Sequence, residues 1–103
     1  METQQDNSII FSKEEYGDRL RKIAVALEHY LDSRGIAVDY KLFEPNTPGQ
    51  KITYHLDNMV IISTSNIDSG SLALTSLEVE VLSDDERTTS ALVTKLKEVA
   101  LSQ

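Results

Sequence analysis

Two histidines are the first candidates for chemistry in this sequence, because histidine is the side chain that ordinarily exchanges a proton near neutral pH. His29 falls on the polar side of a predicted helix, opposite its apolar stripe, so we expect it at the surface. His55 lies on the polar side of a predicted strand, beside Thr53 and Asp57. It could take a proton from a neighbouring serine, but no nucleophile motif surrounds it.

The sequence lacks the motifs that would build a catalytic, cofactor or metal site around such residues. It has no G-x-S-x-G turn and no H-E-x-x-H, and its single glycines at positions 17, 35, 49 and 70 form no phosphate-binding loop. The absence of cysteine removes thiolate nucleophiles and sulfur-ligated zinc. We therefore expect no catalytic residue, no cofactor and no bound metal, calcium included, and we do not expect an enzyme.

A cluster of carboxylates is the most unusual local feature. Within nine positions the chain carries Glu78, Glu80, Asp84, Asp85 and Glu86. No lysine or arginine occurs between Lys51 and Arg87, so this part of the surface has one sign of charge. These residues are candidates for binding a partner. A structural role is the alternative, because the last three fit the start of a helix and the first two fit the solvent side of a strand.

An uninterrupted apolar run is the second candidate surface. It consists of Met59, Val60, Ile61 and Ile62. Such a run predicts a central strand that is covered on both faces, either by the protein's own core or by a partner chain on one face. Two helices on one sheet face do not obviously cover this run together with the apolar side of the first predicted strand (Ile36, Val38, Tyr40 and Leu42), so we expect self-association, most simply as a dimer.

The first predicted helix spans residues 13–34. Ser12 and Glu15 have the spacing of a capping box at its start. Phe11 stands where a hydrophobic staple would reach Tyr16. Apolar residues then recur at steps of three and four, at Tyr16, Leu20, Ile23, Leu27 and Leu31.

Residues typical of helix caps also predict where the helices begin and end. Gly35 can supply the left-handed residue that terminates the first helix. A second helix is predicted over residues 84–101, with Ser83 and Glu86 as its capping box and acidic residues in its first turn.

Between the helices, alternating apolar residues predict strands. The predicted strands are residues 36–43, 52–56, 59–62 and 72–82. Both prolines fall in residues 44–49, which predicts an exposed turn without strand pairing. Residues 57–58 suit a hairpin turn, and the serine-rich residues 63–71 predict a flexible connection. The change of parity in the last strand predicts a bulge near Thr75 and Ser76.

These elements predict an α+β fold in the order α-β-β-β-β-α. We expect an antiparallel sheet of three to four strands, flanked by an N-terminal and a C-terminal helix that both pack on one face. Residues 1–7 are polar and predict a disordered tail, which leaves residues 8–103 as a single domain.

This order is similar to that of the double-stranded-RNA-binding domain. That family presents lysines to phosphate at the start of its second helix, whereas this chain has Ser83-Asp84-Asp85-Glu86 there, so the resemblance does not extend to RNA binding. The order, small size and acidity also look like those of phage tail-completion proteins, secretion chaperones and small phage inhibitors of bacterial defence. This second resemblance concerns the fold alone.

Net charge and hydropathy argue against further classes of function. The formal net charge of −7 repels phosphate backbones, so we expect no direct nucleic-acid binding, although the same charge also serves solubility. No apolar stretch is long enough to span a bilayer, and the start of the chain lacks a signal-peptide pattern. We expect a cytoplasmic protein with no membrane contact.

Two functions remain after these exclusions. The first is a non-enzymatic protein-binding or assembly module that self-associates and needs no cofactor. The second is an acidic mimic of nucleic acid that inhibits a basic nucleic-acid-binding partner, in the manner of phage anti-defence proteins. The carboxylate cluster is the observation behind the second function, and the sequence does not identify the protein partner in either case.

Overall fold

The computed structural model describes residues 7–33, 38–46, 49–56 and 58–103. Its strands are β1 (Ser8–Ser12), β2 (Val38–Asn46), β3 (Gly49–Leu56), β4 (Met59–Ile67) and β5 (Leu74–Ser83). Its helices are the single turn α1 (Lys13–Tyr16), then α2 (Leu20–Ser33) and α3 (Glu86–Leu101). The strands form one antiparallel sheet in the order β1-β5-β4-β3-β2, which confirms the predicted α+β class. The sheet has five strands in place of the predicted three to four.

Strand β1 is absent from the predicted order, which starts with a helix. Ser8–Ser12 pairs with β5, so that Ile9 lies opposite Val79 and Phe11 lies opposite Leu77. Ile9 and Phe11 are both buried, and they form part of the core. The prediction was wrong here because the strand is only five residues long, too short to show a period of two next to a strong helix start. The predicted tail lies outside the described residues, apart from Asn7.

The first predicted helix is interrupted at Gly17. This residue has a φ of 54° and a ψ of −130°, and it ends α1 before a 3₁₀ turn leads into α2. Ser12 occupies the N-cap position, but its side chain makes no capping hydrogen bond, so the predicted capping box is not formed. The staple is confirmed, because the rings of Phe11 and Tyr16 meet edge to face with their centroids 5.5 Å apart. The predicted end of the helix at Arg34 and its terminator Gly35 lie outside the described residues.

The proline-rich segment is mostly strand, so the predicted turn over residues 44–49 is wrong. Glu44, Pro45 and Asn46 continue β2 and pair with the start of β3. Strand β2 is at the edge of the sheet, and an edge strand tolerates a proline because one of its sides has no neighbour to receive an N–H. The tip at residues 47–48 lies outside the described residues, as do Asp57 of the predicted hairpin and the predicted strand start at residues 36–37.

The serine-rich segment also differs from its prediction as a flexible connection. Strand β4 continues to Ile67, and the connection to β5 is a turn tied by hydrogen bonds. Asp68 is its centre: its backbone N–H donates to the Ala73 carbonyl (2.8 Å), and its carboxylate accepts from the Ser71 N–H (2.8 Å) and hydroxyl (2.9 Å). These bonds lower the pKa of Asp68. Leu72, predicted in the strand, lies in this turn with a φ of 62°.

The predicted bulge in the last strand is confirmed. Asn66 pairs with Ser76 while Ile67 pairs with Leu74, which leaves Thr75 as the extra residue. The Thr75 hydroxyl donates to the Asn66 carbonyl at 3.1 Å. One added residue brings Leu74 and the buried Leu77 to the same face of the sheet, which explains the change of parity in the sequence.

The core lies between one face of the sheet and the long helices α2 and α3. The predicted apolar stripe of the first helix supplies Leu20, Ile23, Leu27 and Leu31, all of them buried. The full cluster is Ile9, Phe11, Leu20, Ile23, Leu27, Leu31, Tyr54, Ile61, Leu77, Val79, Val81, Leu92, Val93, Leu96 and Ala100. Both helices contribute to it, so they share one face of the sheet. No helix in the described ranges is long and apolar enough to cross a membrane.

Tyr54 is the polar exception in this core. Its side chain is 1 % exposed, and its hydroxyl has no hydrogen-bond partner among the described residues. Burial raises the pKa of Tyr54, and the carboxylates of Asp32 and Glu28 raise it further. Asp32 forms an ion pair with Lys41 (3.1 Å), and the Lys41 ammonium lies 5.6 Å from the Tyr54 ring centre. The ring is therefore buried, while its hydroxyl finds no hydrogen-bond partner in the part of the chain that the structure describes.

We expect Tyr54→Phe to raise the free energy of unfolding by about 1 kcal/mol, because it keeps the ring and removes a buried hydroxyl to which no described residue offers a hydrogen bond. Urea denaturation of the two proteins measures this difference. A loss of stability in Tyr54→Phe would contradict it, since that result requires a hydrogen-bonded partner such as a buried water.

Candidate functional site on the open face of the sheet

The five-stranded sheet leaves one of its faces without helices, and we call this the open face. Side chains alternate between the two faces along each strand, and directly paired residues share a face. The buried pair Ile61 and Val81 marks the helix side, so their strand neighbours point the other way. By this register, the open face carries Ile10, Leu42, Glu44, Lys51, Thr53, His55, Val60, Ile62, Thr64, Glu78, Glu80 and Leu82.

The middle of the open face is apolar. Leu82 is paired with Val60, and Ile62 follows two residues later on β4. Ile62 is paired with Thr53, and Thr53 is paired with Leu42 on the outer strand. We call Leu42, Val60, Ile62 and Leu82 the apolar diagonal. Leu42 is 46 % exposed and Leu82 is 40 % exposed, so the diagonal meets solvent in the isolated chain.

The predicted self-association segment is divided between the two faces. Ile61 is 1 % exposed inside the core, and Met59 packs against the same core from the helix side. Val60 and Ile62 are half-buried on the open face, where they form the centre of the apolar diagonal. Only these two of the four predicted residues are therefore available to a partner on that face.

Charged residues lie on both sides of the apolar diagonal. Glu78 and Glu80 project from β5, about 7 Å apart along the strand. Lys51 and His55 project from β3, on the other side of β4. Glu78 and Lys51 are at the same level, because both are paired with Thr64 of the strand between them. The open face thus carries two carboxylates on one flank, and on the other a lysine whose cross-strand neighbour on β2 is Glu44.

The structure does not bring all five predicted carboxylates together. Asp84, Asp85 and Glu86 are exposed at the start of α3, beyond the end of β5. Glu80 is four residues from Asp84 along an extended strand, which corresponds to about 13 Å. The cluster therefore divides into an open-face pair and a group at the helix start.

Asp85 has a structural task in the second group. It is the N-cap of α3, where its carboxylate accepts hydrogen bonds from the Thr88 hydroxyl (2.7 Å) and the Arg87 N–H (3.1 Å). The prediction of Ser83 as the cap was wrong by two residues, because the Ser83 hydroxyl instead accepts from the Asp85 N–H. The bonds from Thr88 and Arg87 lower the pKa of Asp85, so its capping contribution is lost as the pH falls through that lowered pKa.

The two histidines lie in different layers of the fold. His29 is exposed on α2, where its carbonyl accepts a hydrogen bond from the Ser33 hydroxyl (2.7 Å). His55 is half-buried on β3, and by register it faces the open side next to Val60. Among the residues that the structure describes, no three histidine or carboxylate side chains are grouped so that they could hold a metal ion.

A second concave surface lies on the helix side, between α2 and the strands β3 to β5. It encloses about 200 Å³. Its lining mixes polar and apolar side chains, including Arg21, Glu28, Ser63, Ser65, Ile52 and Leu74. The groove therefore has no dominant charge or polarity that would define one class of ligand.

Leu82 and Lys51 are open-face residues that the sequence does not single out. Each belongs to a strand whose alternating pattern is visible in the sequence, and this pattern predicts which face of the strand the residue occupies. Whether these residues lie close together depends on the order of the strands in the sheet, and the alternating pattern does not predict that order.

The chain matches no protein-family model, no curated protein and no solved structure. The geometry and chemistry of its own residues are therefore the basis for a functional proposal.

Proposed function

We propose that this protein is a non-enzymatic binding module that self-associates through the open face of its sheet. The apolar diagonal is the observation that carries the proposal. An antiparallel sheet with one face in water ordinarily has polar residues on that face, but here four aliphatic side chains run across its middle. Covering them with the same surface of a second copy removes them from water.

The size of the open face supports a dimer. Neighbouring strands lie about 4.8 Å apart, so five strands are roughly 20 Å across. Strand β4 has nine residues and is about 30 Å long. The resulting area, roughly 600 Å², approaches the ~800 Å² that each partner buries in a standard protein interface. A second copy is thus large enough to cover the diagonal together with its charged flanks.

The nucleic-acid mimic receives less support from this geometry. Mimicry needs carboxylates at regular spacing over one surface, whereas Glu78 and Glu80 are separated from the group at the start of α3. Asp85 is also engaged in capping. The arrangement of the carboxylates therefore favours self-association over mimicry.

We expect Ile62→Lys to weaken self-association by about 100-fold or more, because it places a charge at the centre of an interface that excludes water. Light scattering and sedimentation at tens of micromolar should show a dimer for the wild type and a monomer for the variant. Leu82→Lys repeats the test at a position that is 40 % exposed in the single chain, where a lysine does not threaten the fold.

Val25→Lys is the matched control. Val25 is 62 % exposed on α2, in the helix layer, so the same gain of charge there should leave the dimer intact. Circular dichroism and thermal unfolding confirm that each variant is folded. A wild type that stays monomeric, or a folded Ile62→Lys variant that dimerises as the wild type does, would show that the open face is not the interface.

A further inference from the structure

We propose that the two copies are related by a two-fold axis that runs along β4, so that β5 of one copy faces β3 of the other. This inference rests on the proposed self-association. It adds the arrangement of the interface and predicts a reciprocal contact between Glu78 and Lys51 of the partner subunit.

Symmetry limits the possible arrangements to two. A two-fold interface uses the same surface of both copies, and two sheets packed face to face keep their strands within about 30° of each other. The axis then lies between the sheets, either along the strands or across them. Because β4 is the middle strand of the five, an axis along or across β4 gives the greatest overlap of the two open faces.

An axis across the strands is disfavoured by charge. It places β5 of one copy against β5 of the other, which brings Glu78 and Glu80 close to the same carboxylates of the partner. Like charges brought together in an interface weaken binding and act against that arrangement. The open-face residues of β5 from Glu78 to Leu82 include no basic side chain, so β5 offers no attractive contact to β5 of the other copy.

An axis along β4 resolves the charge conflict. Rotation about this axis leaves the position of each residue along the strand direction unchanged. It places the β5 side of one sheet over the β3 side of the other. Glu78 and Lys51 are both level with Thr64, so Glu78 of each copy faces Lys51 of the partner subunit. Symmetry forms this contact twice. The ammonium and carboxylate groups reach each other across sheets that lie about 10 Å apart.

The same axis places the middle of the apolar diagonal at the centre of the interface and leaves Leu42 and Leu82 on its flanks. Val60 and Ile62 lie on the axis and meet their own copies, because both are open-face residues of β4. The two Glu78–Lys51 contacts lie one strand away on each side of this apolar seam. An apolar centre flanked by charged contacts is the usual organisation of a protein interface.

A charge exchange tests the arrangement. We expect Glu78→Lys and Lys51→Glu, each alone, to weaken the homodimer about tenfold, because each variant forms two repulsive contacts in place of two attractive ones. Mixing the two single variants should produce a heterodimer of wild-type affinity, since all its contacts pair a lysine with a glutamate. The double variant should also recover a homodimer. Sedimentation measures the affinities, and native mass spectrometry identifies the heterodimer.

The controls exchange the same charges in the helix layer. Glu14→Lys on α1 and Lys22→Glu on α2 alter the net charge equally at exposed positions, and their homodimers should keep wild-type affinity. If the wild type dimerises but mixing does not restore affinity, the axis along β4 is wrong, and the Ile62→Lys variant decides separately whether the open face is the interface. If the wild type is monomeric, both proposals fall together.

Discussion

Leu96→Ala is expected to lower the free energy of unfolding by about 2 to 5 kcal/mol. Leu96 is fully buried on α3, where it belongs to the cluster that joins both long helices to the sheet. Its truncation removes aliphatic contacts and leaves a cavity that rigid neighbours fill only in part. Leu27 occupies the corresponding position on α2, at 2 % exposure, and Leu27→Ala should cost a similar amount.

Chemical denaturation with urea measures both losses. Leu101→Ala is the matched control, because Leu101 is the last residue of α3 and is 67 % exposed, so its truncation should change stability by less than about 0.5 kcal/mol. Equal midpoints for Leu96→Ala and Leu101→Ala would mean that α3 does not pack on the sheet as described.

Gly17→Ala is expected to destabilise the protein by about 1 to 3 kcal/mol through the backbone alone. Gly17 combines a φ of 54° with a ψ of −130°, a conformation that residues with a Cβ seldom adopt. The surroundings are not the obstacle, since a Cβ at this position would meet nothing within 4 Å. The alanine variant must either accept the strain or straighten the junction between α1 and α2.

Gly70→Ala provides the contrast for this experiment. A Cβ on Gly70 would lie 3.4 Å from the Asp68 carboxylate, an ordinary contact, and its φ is not in the left-handed region. We therefore expect a change of a few tenths of a kcal/mol there. A Gly17→Ala variant as stable as the wild type would show that the junction can relax into one continuous helix.

Most of the fold follows from local patterns in the sequence. The apolar spacing of α2 and α3 and the alternation of Leu77, Val79 and Val81 predict which residues are buried. The bulge at Thr75 is also predicted by a local pattern. The apolar positions of the strand change from even to odd numbers there, and such a change needs one extra residue.

The remaining parts of the fold depend on contacts between distant segments. Serine and asparagine favour turns in isolation, yet Ser63 and Ser65 extend β4 because they pair with β3 and β5 on either side. Pro45 lies inside a strand because that strand is at the edge of the sheet, and the sequence does not show which strand is outermost. Tertiary pairing therefore overrides local propensity at these positions.

The candidate site was predictable only in part for the same reason. The apolar run and the acidic residues are visible in the sequence, but strand alternation divides the run so that Ile61 enters the core while Val60 and Ile62 remain on the open face. The relation between Glu78 and Lys51 arises through Thr64, and it needs the pairing of three strands.

The pairing of β1 with β5 also determines when the fold can be completed during synthesis. Ser8 and Glu80 are neighbours in the sheet although about 70 residues separate them in the chain. At 5 to 20 residues per second, a ribosome needs roughly 4 to 14 s to make the strand that receives β1. Until then Ile9 and Phe11 have no sheet to join. We therefore expect the N-terminal strand to dock late, and a nascent chain to expose an apolar segment that chaperones can bind in that interval.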